Sequence, residues 1–146
     1  VRAVKERIRL PLVADIHFSP KLAAAAIENG ADKVRINPGN IGGEKEIKYV
    51  ADCIRAHGIP VRVGSNTGSI EANFLKKYGR SAEALVESAL YNVGVLEKFG
   101  VTDIVISVKA SSVPLTVRAY TLLSERTDYP LHVGVTEAGT TEAGIV

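Results

Sequence analysis

The sequence predicts an α/β fold, and more narrowly a partial (β/α)8 barrel of about five consecutive strand–helix units. Three observations carry that prediction. ENG-ADKVRI, AHG-IPVRVG, KFG-VTDIVIS and RTD-YPLHVGV each join a helical stretch to an apolar run through a tight corner, a weak internal repeat. The runs are nearly continuous in Val, Ile and Leu, as strands of a parallel sheet covered by helices must be. Each run also delivers polar or charged residues at its C-terminal end: Asp15 and His17, Arg35 and Asn37, Arg62 and Asn66, Ser107 and Lys109, Thr136 and Glu137. An open doubly wound sheet concentrates function at one switch point, whereas a barrel rings its mouth with loops from every strand. Delivery from all five favours the barrel, and five units do not close one alone.

Taken in order, residues 1–9 are basic and read as the tail of a helix. PLVAD (11–15) is a short buried strand that ends in IHFSP. Residues 22–28 are Ala-rich and helical, with Pro20 near the start and Asn29-Gly30 closing the helix. KVRI (33–36) is the second strand, ended by Asn-Pro-Gly-Asn because Pro lacks an amide hydrogen and Gly tolerates positive φ. Ile47, Val50, Ala51 and Ile54 at helical spacing predict a helix over 44–57, stopped by Gly58. VRVG (61–64) is the third strand and runs into the loop 65–69. A longer loop or lid follows, with Phe74 and Tyr78 available to cover a ligand. Ser81 opens a helix to Phe99 that carries Leu85, Ala89, Val93 and Leu96 on one stripe. DIVIS (103–107) is the fourth strand, 113–123 the next helix and LHVGV (131–135) the fifth strand. Residues 136–139 form its exit loop, and a further helix starts at Thr140.

The 146 residues suffice for one domain with a real core. A net charge of +2 is too weak to argue for nucleic acid, so any basic function is local. No apolar run approaches a membrane span and no signal peptide is visible, which fits a cytoplasmic protein. Val1 stands where an initiator Met would, and Met is absent throughout, so the sequence reads as an excised piece. One cysteine, Cys53, excludes a disulfide framework and a Cys-based metal site within the chain. It reads most simply as a small buried helix residue.

The candidate site is organised around residues 33–43, KVRINPGNIGG. An Arg in a strand of Val and Ile is unusual, because charges are almost never buried unpaired. Arg35 therefore either meets a carboxylate within the sheet or points at an anionic ligand. Arg35, Arg62 and Lys109 on three successive strands outnumber the strand-end carboxylates Asp15 and Glu137. Two guanidinium forks and an ammonium suit a diphosphate. Asn37, Asn66, Ser107 and Ser111 can add neutral hydrogen bonds, and the corners at 39–43 and 64–68 are expected to offer backbone amides to the same anion. Asp15 and His17, two apart, can form an acid–base pair, or Asp15 can orient His17 or balance an Arg. Glu137 at a strand exit is a better catalytic candidate than Glu142 in a helix. His132 reads as a packing residue and His57 as a helix C-terminal cap.

PLVADIHF, DKVRINPGNIG, VRVGSNTGS, DIVISVKAS and YPLHVGVTEAGT, in this order and spacing, resemble the 4-hydroxy-3-methylbut-2-enyl diphosphate synthase family. These are iron–sulfur oxidoreductases of the non-mevalonate isoprenoid pathway. The resemblance covers Pro11 to about Gly144, and RINPGN with VKAS and GVTEAG is far more specific than any single Gly motif. It implies a TIM barrel followed by a C-terminal domain that carries a [4Fe-4S] cluster on three Cys and one Glu. The implied reaction opens 2-C-methyl-D-erythritol 2,4-cyclodiphosphate reductively, with loss of water, using ferredoxin or flavodoxin as electron donor. The family's diphosphate contacts carry over to Arg35, Arg62, Asn66 and Lys109, with Asn37 beside them. Asp15, His17 and Glu137 match barrel-mouth positions and are the candidate catalytic residues. The sequence departs from the family in lacking the cluster cysteines, and the resemblance places its five strands as the third to seventh of the barrel. Residues 1–146 then form part of the N-terminal substrate-binding barrel, without the cluster domain, inactive alone and paired into a homodimer when full length. Two rival readings are another TIM-barrel enzyme acting on a phosphorylated or pterin-like substrate, and a non-catalytic fragment whose open edges pair with another chain.

Overall fold

The computed structural model describes residues 1–134 and 139–140. Its elements run α1 (Arg2–Lys5), β1 (Val13–Asp15), α2 (Pro20–Glu28), β2 (Lys33–Ile36), α3 (Pro38–Ile41), α4 (Glu44–His57), β3 (Val61–Asn66), α5 (Ala72–Tyr78), α6 (Ala82–Glu97), β4 (Ile104–Lys109) and α7 (Val113–Ser124). The strands lie side by side in chain order, β1-β2-β3-β4. The pairs β1–β2 and β2–β3 are parallel. Order without reversal is what a barrel wall requires, because a doubly wound sheet changes direction at its switch point.

The fifth strand is the main departure. Leu131 makes a single parallel bridge to Ile106, where a strand over 131–135 was expected. Ile106 N–H donates to the Pro130 carbonyl at 2.9 Å, and His132 N–H donates to the Ile106 carbonyl at 2.8 Å. Pro130 has no N–H to extend this ladder backwards, and Gly134 weakens it forwards. Residue 135, the exit loop through 138 and the helix expected from Thr140 onward (141–146) lie outside the described residues, as do Thr136 and Glu137.

The chain divides into two compact units, Val1–Val63 with Asn92–Val105, and Gly64–Tyr91 with Ile106–Val146. In the first unit, α2 forms because Ser19 Oγ accepts the Leu22 N–H at 3.3 Å and Pro20 supplies the first helical turn. Its Ala23, Ala24, Ala26 and Ile27 are buried. Helix α4 buries the predicted stripe of Ile47, Val50, Ala51 and Ile54, and ends at Gly58, whose φ of 59° only glycine adopts without strain. Ala14 of β1 lies opposite Val34 on one face of the sheet. Val34 and Val61 continue that face in register and are fully buried, as is Ile36 opposite Val63. Burying each such side chain contributes about 1.5–3 kcal/mol.

β1 is shorter than expected and is an edge strand, with Val13 44% exposed and Leu10 and Phe18 each 71% exposed around it. The Asn-Pro-Gly-Asn stop is itself one turn of helix, α3, because Asn37 caps it and Pro38 occupies its first position.

In the second unit, Ser81 caps α6 by accepting the Ala84 N–H at 3.2 Å, and Ser112 caps α7 by accepting the Leu115 N–H at 3.4 Å. Leu85, Val86 and Ala89 of α6 and Ala119, Tyr120 and Leu123 of α7 are buried. Arg118 forks onto Glu83, holding that carboxyl below the usual carboxylate range, and Arg126 meets Glu87 at 2.8 Å. These exposed pairs add little stability. The expected lid over 70–80 contains a helix, α5, because Ala72–Tyr78 is a run of helix formers that Gly79 closes with φ 66°. Phe74 meets the edge of the Tyr91 ring at 5.9 Å, and Lys77 lies over the ring of Tyr78. Among the described residues no helix is long and apolar enough to cross a membrane.

Candidate functional site

The registers of β1, β2 and β3 place Asp15 opposite Arg35 and Arg35 opposite Arg62. Partners in a ladder project to the same face, so these three side chains form one row on the face opposite Ala14, Val34 and Val61. Arg35 is 9% exposed, and its Nη1 donates to Asp15 Oδ1 at 2.9 Å. His17 Nε2 lies 3.5 Å from the same oxygen, the outer limit of a hydrogen bond. Of the two partners open to Asp15 from the sequence, the arginine is therefore the closer, and His17 stands behind it. Both Asp15 and His17 keep more than half of their side chains in solvent. Arg35 thus meets a carboxylate, and Arg62 stands beside it in register, on strands about 4.8 Å apart. Arg62 is half-buried.

Asn37 follows directly at the end of β2 and is buried. Its Oδ1 accepts the Gly39 N–H at 3.1 Å. The same N–H also reaches Asn92 Oδ1 at 3.0 Å. The Gly39 amide is thereby engaged by side chains of this chain, although the sequence offered it to an anion. Glu46 reinforces the point. Its Oε2 lies 3.2 Å from where a Cβ on Gly43 would be, so a carboxylate already sits at the start of α4.

In the second unit, Asn66 ends β3 and Lys109 ends β4, both half-buried. Asn66 Oδ1 accepts the Gly68 N–H at 2.9 Å, and the Lys109 carbonyl accepts the Thr67 N–H at 3.3 Å. The Thr67 and Gly68 amides of the 64–68 corner are therefore engaged within the chain. β3 runs two residues further than expected, so Ser65 is a strand residue, buried against Ser88 with the two hydroxyls 3.0 Å apart. Ser107 is buried and Ser111 exposed. Glu137 lies outside the described residues.

Of the remaining histidines, His57 caps its helix as its position suggests, whereas His132 is exposed and does not pack in the interior as expected. His57 Nδ1 donates to the Cys53 carbonyl at 3.0 Å, at the end of its own helix. The His132 carbonyl lies within hydrogen-bond reach of Tyr120 Oη, which also accepts the Val108 N–H. Cys53 is half-buried, and burial, then Glu28 and Asp52, push its thiol up, away from the thiolate form that binds metals. The residues of this chain do not fit a [4Fe-4S] cluster. One thiol cannot replace the thiolates that hold such clusters, and among the described residues no group of three His, Cys, Asp or Glu side chains converges. Purified and reconstituted with iron and sulfide, residues 1–146 are expected to stay colourless, and stoichiometric iron and sulfide on the polypeptide would contradict this.

Asn92, Ser88 and Tyr120 were not singled out in the sequence. Each sits on an apolar helix stripe, and a polar residue interrupting such a stripe was the available signal.

The GcpE TIM-barrel domain matches residues 1–146, the whole chain. The chain belongs to this family. It is 57% identical, over 100% of its own length and 41% of the relative's, to a protein of Caldanaerobacter subterraneus subsp. tengcongensis named 4-hydroxy-3-methylbut-2-en-1-yl diphosphate synthase (flavodoxin). Proteins of the same name from Ruminiclostridium cellulolyticum and Fusobacterium nucleatum subsp. nucleatum are 53% and 52% identical, over 98% and 100% of this chain and 41% and 42% of theirs. The chain spans about two fifths of the length of these relatives. Its parallel strands in chain order are thus those of a TIM-barrel domain, as the repeat of helix–strand corners predicts.

Proposed function

We propose that residues 1–146 are the substrate-binding part of the barrel of a 4-hydroxy-3-methylbut-2-enyl diphosphate synthase, taking 2-C-methyl-D-erythritol 2,4-cyclodiphosphate as ligand. The observation that carries the anion site is the row in which Arg35 and Arg62 stand in register with one half-exposed carboxylate, Asp15. Two adjacent guanidinium groups favour an anionic ligand, and a diphosphate offers the oxygens for two forks. The resemblance carries Lys109 and Asn66, at the ends of β4 and β3, over to the same ligand, with Asn37 beside them. The relatives' printed name supports the choice of substrate over a generic phosphorylated or pterin-like compound.

In this reading Asp15 holds Arg35 and steadies His17, the candidate proton donor when water leaves, and Glu137 is the third candidate catalytic group. Electrons arrive from outside this chain. Flavodoxin, which the relatives' name carries, is the favoured donor over ferredoxin, and the [4Fe-4S] cluster belongs to a further domain of a full-length, cytoplasmic homodimer. The test is turnover by the full-length protein with the cyclodiphosphate and reduced flavodoxin. Accumulation of 4-hydroxy-3-methylbut-2-enyl diphosphate is expected, and absence of both turnover and ligand binding would overturn the assignment.

A further inference from the structure

We infer that Asn92, on α6, is a positioning residue for the diphosphate site, an inference that rests on the reading above. Asn92 is 1% exposed, and its helix buries Ala89, Val93 and Leu96 around it. A carboxamide on that stripe forgoes the burial a Leu would gain and must be hydrogen-bonded to be tolerated. Its Oδ1 finds the Gly39 N–H at 3.0 Å, across 53 residues of sequence. That amide belongs to α3, the single turn that follows Arg35 and Ile36, and it is the same amide that Asn37 Oδ1 caps at 3.1 Å.

Two consequences follow from elementary chemistry. One N–H shared by two carbonyl-type oxygens fixes the turn from both sides, so α3 cannot swing without breaking a buried bond. Asn37 Oδ1 is committed to the same turn, so the position of α3 and that of the Asn37 side chain are set together. Asn92 thereby sets how Asn37 is presented beside Arg35, without touching the ligand itself. One turn of helix has too few hydrogen bonds to hold this geometry alone.

The experiment uses the full-length protein, with Asn92→Leu, Asn92→Asp, Asn37→Ala, the Asn92→Leu/Asn37→Ala pair and Arg35→Ala. Asn92→Leu is expected to keep its melting temperature, to raise KM for the cyclodiphosphate about tenfold, equal to about 1.4 kcal/mol, and to leave kcat within about twofold. Asn92→Asp keeps an oxygen acceptor for Gly39 but puts a carboxylate at a 1% exposed position, so its KM is expected to rise at least as far as that of Asn92→Leu. The Asn37 and Asn92 losses should be strongly non-additive, since both act on one amide. A folded Asn92→Leu with unchanged KM, or additive losses, would overturn the inference. If Asn92→Leu does not fold, hydrogen exchange in the parent decides: a Gly39 amide that exchanges as fast as an open loop amide overturns it, and strong protection supports it. Arg35→Ala separates the two levels. Intact ligand affinity there removes the anion site and this inference together, whereas weakened affinity there with no effect at Asn92 removes the inference alone.

Discussion

Arg62→Ala and Arg35→Ala, each in the full-length protein, are expected to weaken binding of the cyclodiphosphate about tenfold to a hundredfold, because a charge-assisted contact contributes roughly 1.5–3 kcal/mol. Calorimetric titration and thermal melting are measured together. Arg62→Lys should also lose affinity, since an ammonium cannot reproduce the two-pronged guanidinium. The competing view makes Arg35 a structural counter-ion whose removal strands a buried carboxylate and collapses the fold. Exposure decides between the two. The Asp15 side chain is 53% exposed, so losing Arg35 returns Asp15 to water and leaves no buried anion behind. Stability should therefore fall only by what the packed stem of Arg35 contributes, while affinity falls through the charge. Unchanged affinity with a large drop in melting temperature would assign both arginines to the core.

The sheet was legible because Lys33–Ile36 and the stripe of α4 follow simple periods, and β2 and α4 have the predicted bounds. Three features were not. Residues 70–80 contain no long apolar stripe, so the seven-residue helix α5 hid within a segment that composition alone reads as loop. The PGN stop reads as a turn, and the Asn92 Oδ1 that accepts its Gly39 N–H is 52 residues further along than Asn40 and invisible to local rules. The fifth strand has the right residues, but Pro130 and Gly134 limit its described ladder to one bridge, a matter of partner hydrogen bonds that hydrophobicity does not report. Within the site, the sequence identified the Asp15–Arg35 and Asp15–His17 alternatives without ranking them. Only the register, which sets Asp15 directly opposite Arg35, separates 2.9 Å from 3.5 Å. At Gly39 and Gly68 the amides are engaged for a general reason: Asn residues two positions before these glycines cap the turn themselves.

Asp15→Ala should have the opposite signature to Arg35→Ala: lower stability and tighter ligand binding. The asymmetry lies in which partner is buried, since the Arg35 side chain is 11% exposed and Asp15 53%. Removing Asp15 leaves a poorly hydrated guanidinium one strand away from Arg62, with no carboxylate in the row. Breaking a fully buried pair costs 3–5 kcal/mol, and a half-exposed carboxylate reduces that to about 1–2 kcal/mol. A bound diphosphate then supplies the missing charge. Saturating ligand at a hundred times Kd adds about 2.7 kcal/mol, enough to offset the loss. Affinity should rise several-fold because the ligand no longer competes with Asp15 for the Arg35 fork. Melting curves with and without the cyclodiphosphate test both statements, and turnover separates them from acid–base work. A general acid or base removed by mutation lowers kcat by about 10²–10⁴. If Asp15→Ala loses kcat on that scale with stability and affinity unchanged, Asp15 acts on the reacting atoms. If affinity falls with stability, the carboxylate pre-organises Arg35 for the ligand and does not compete with it.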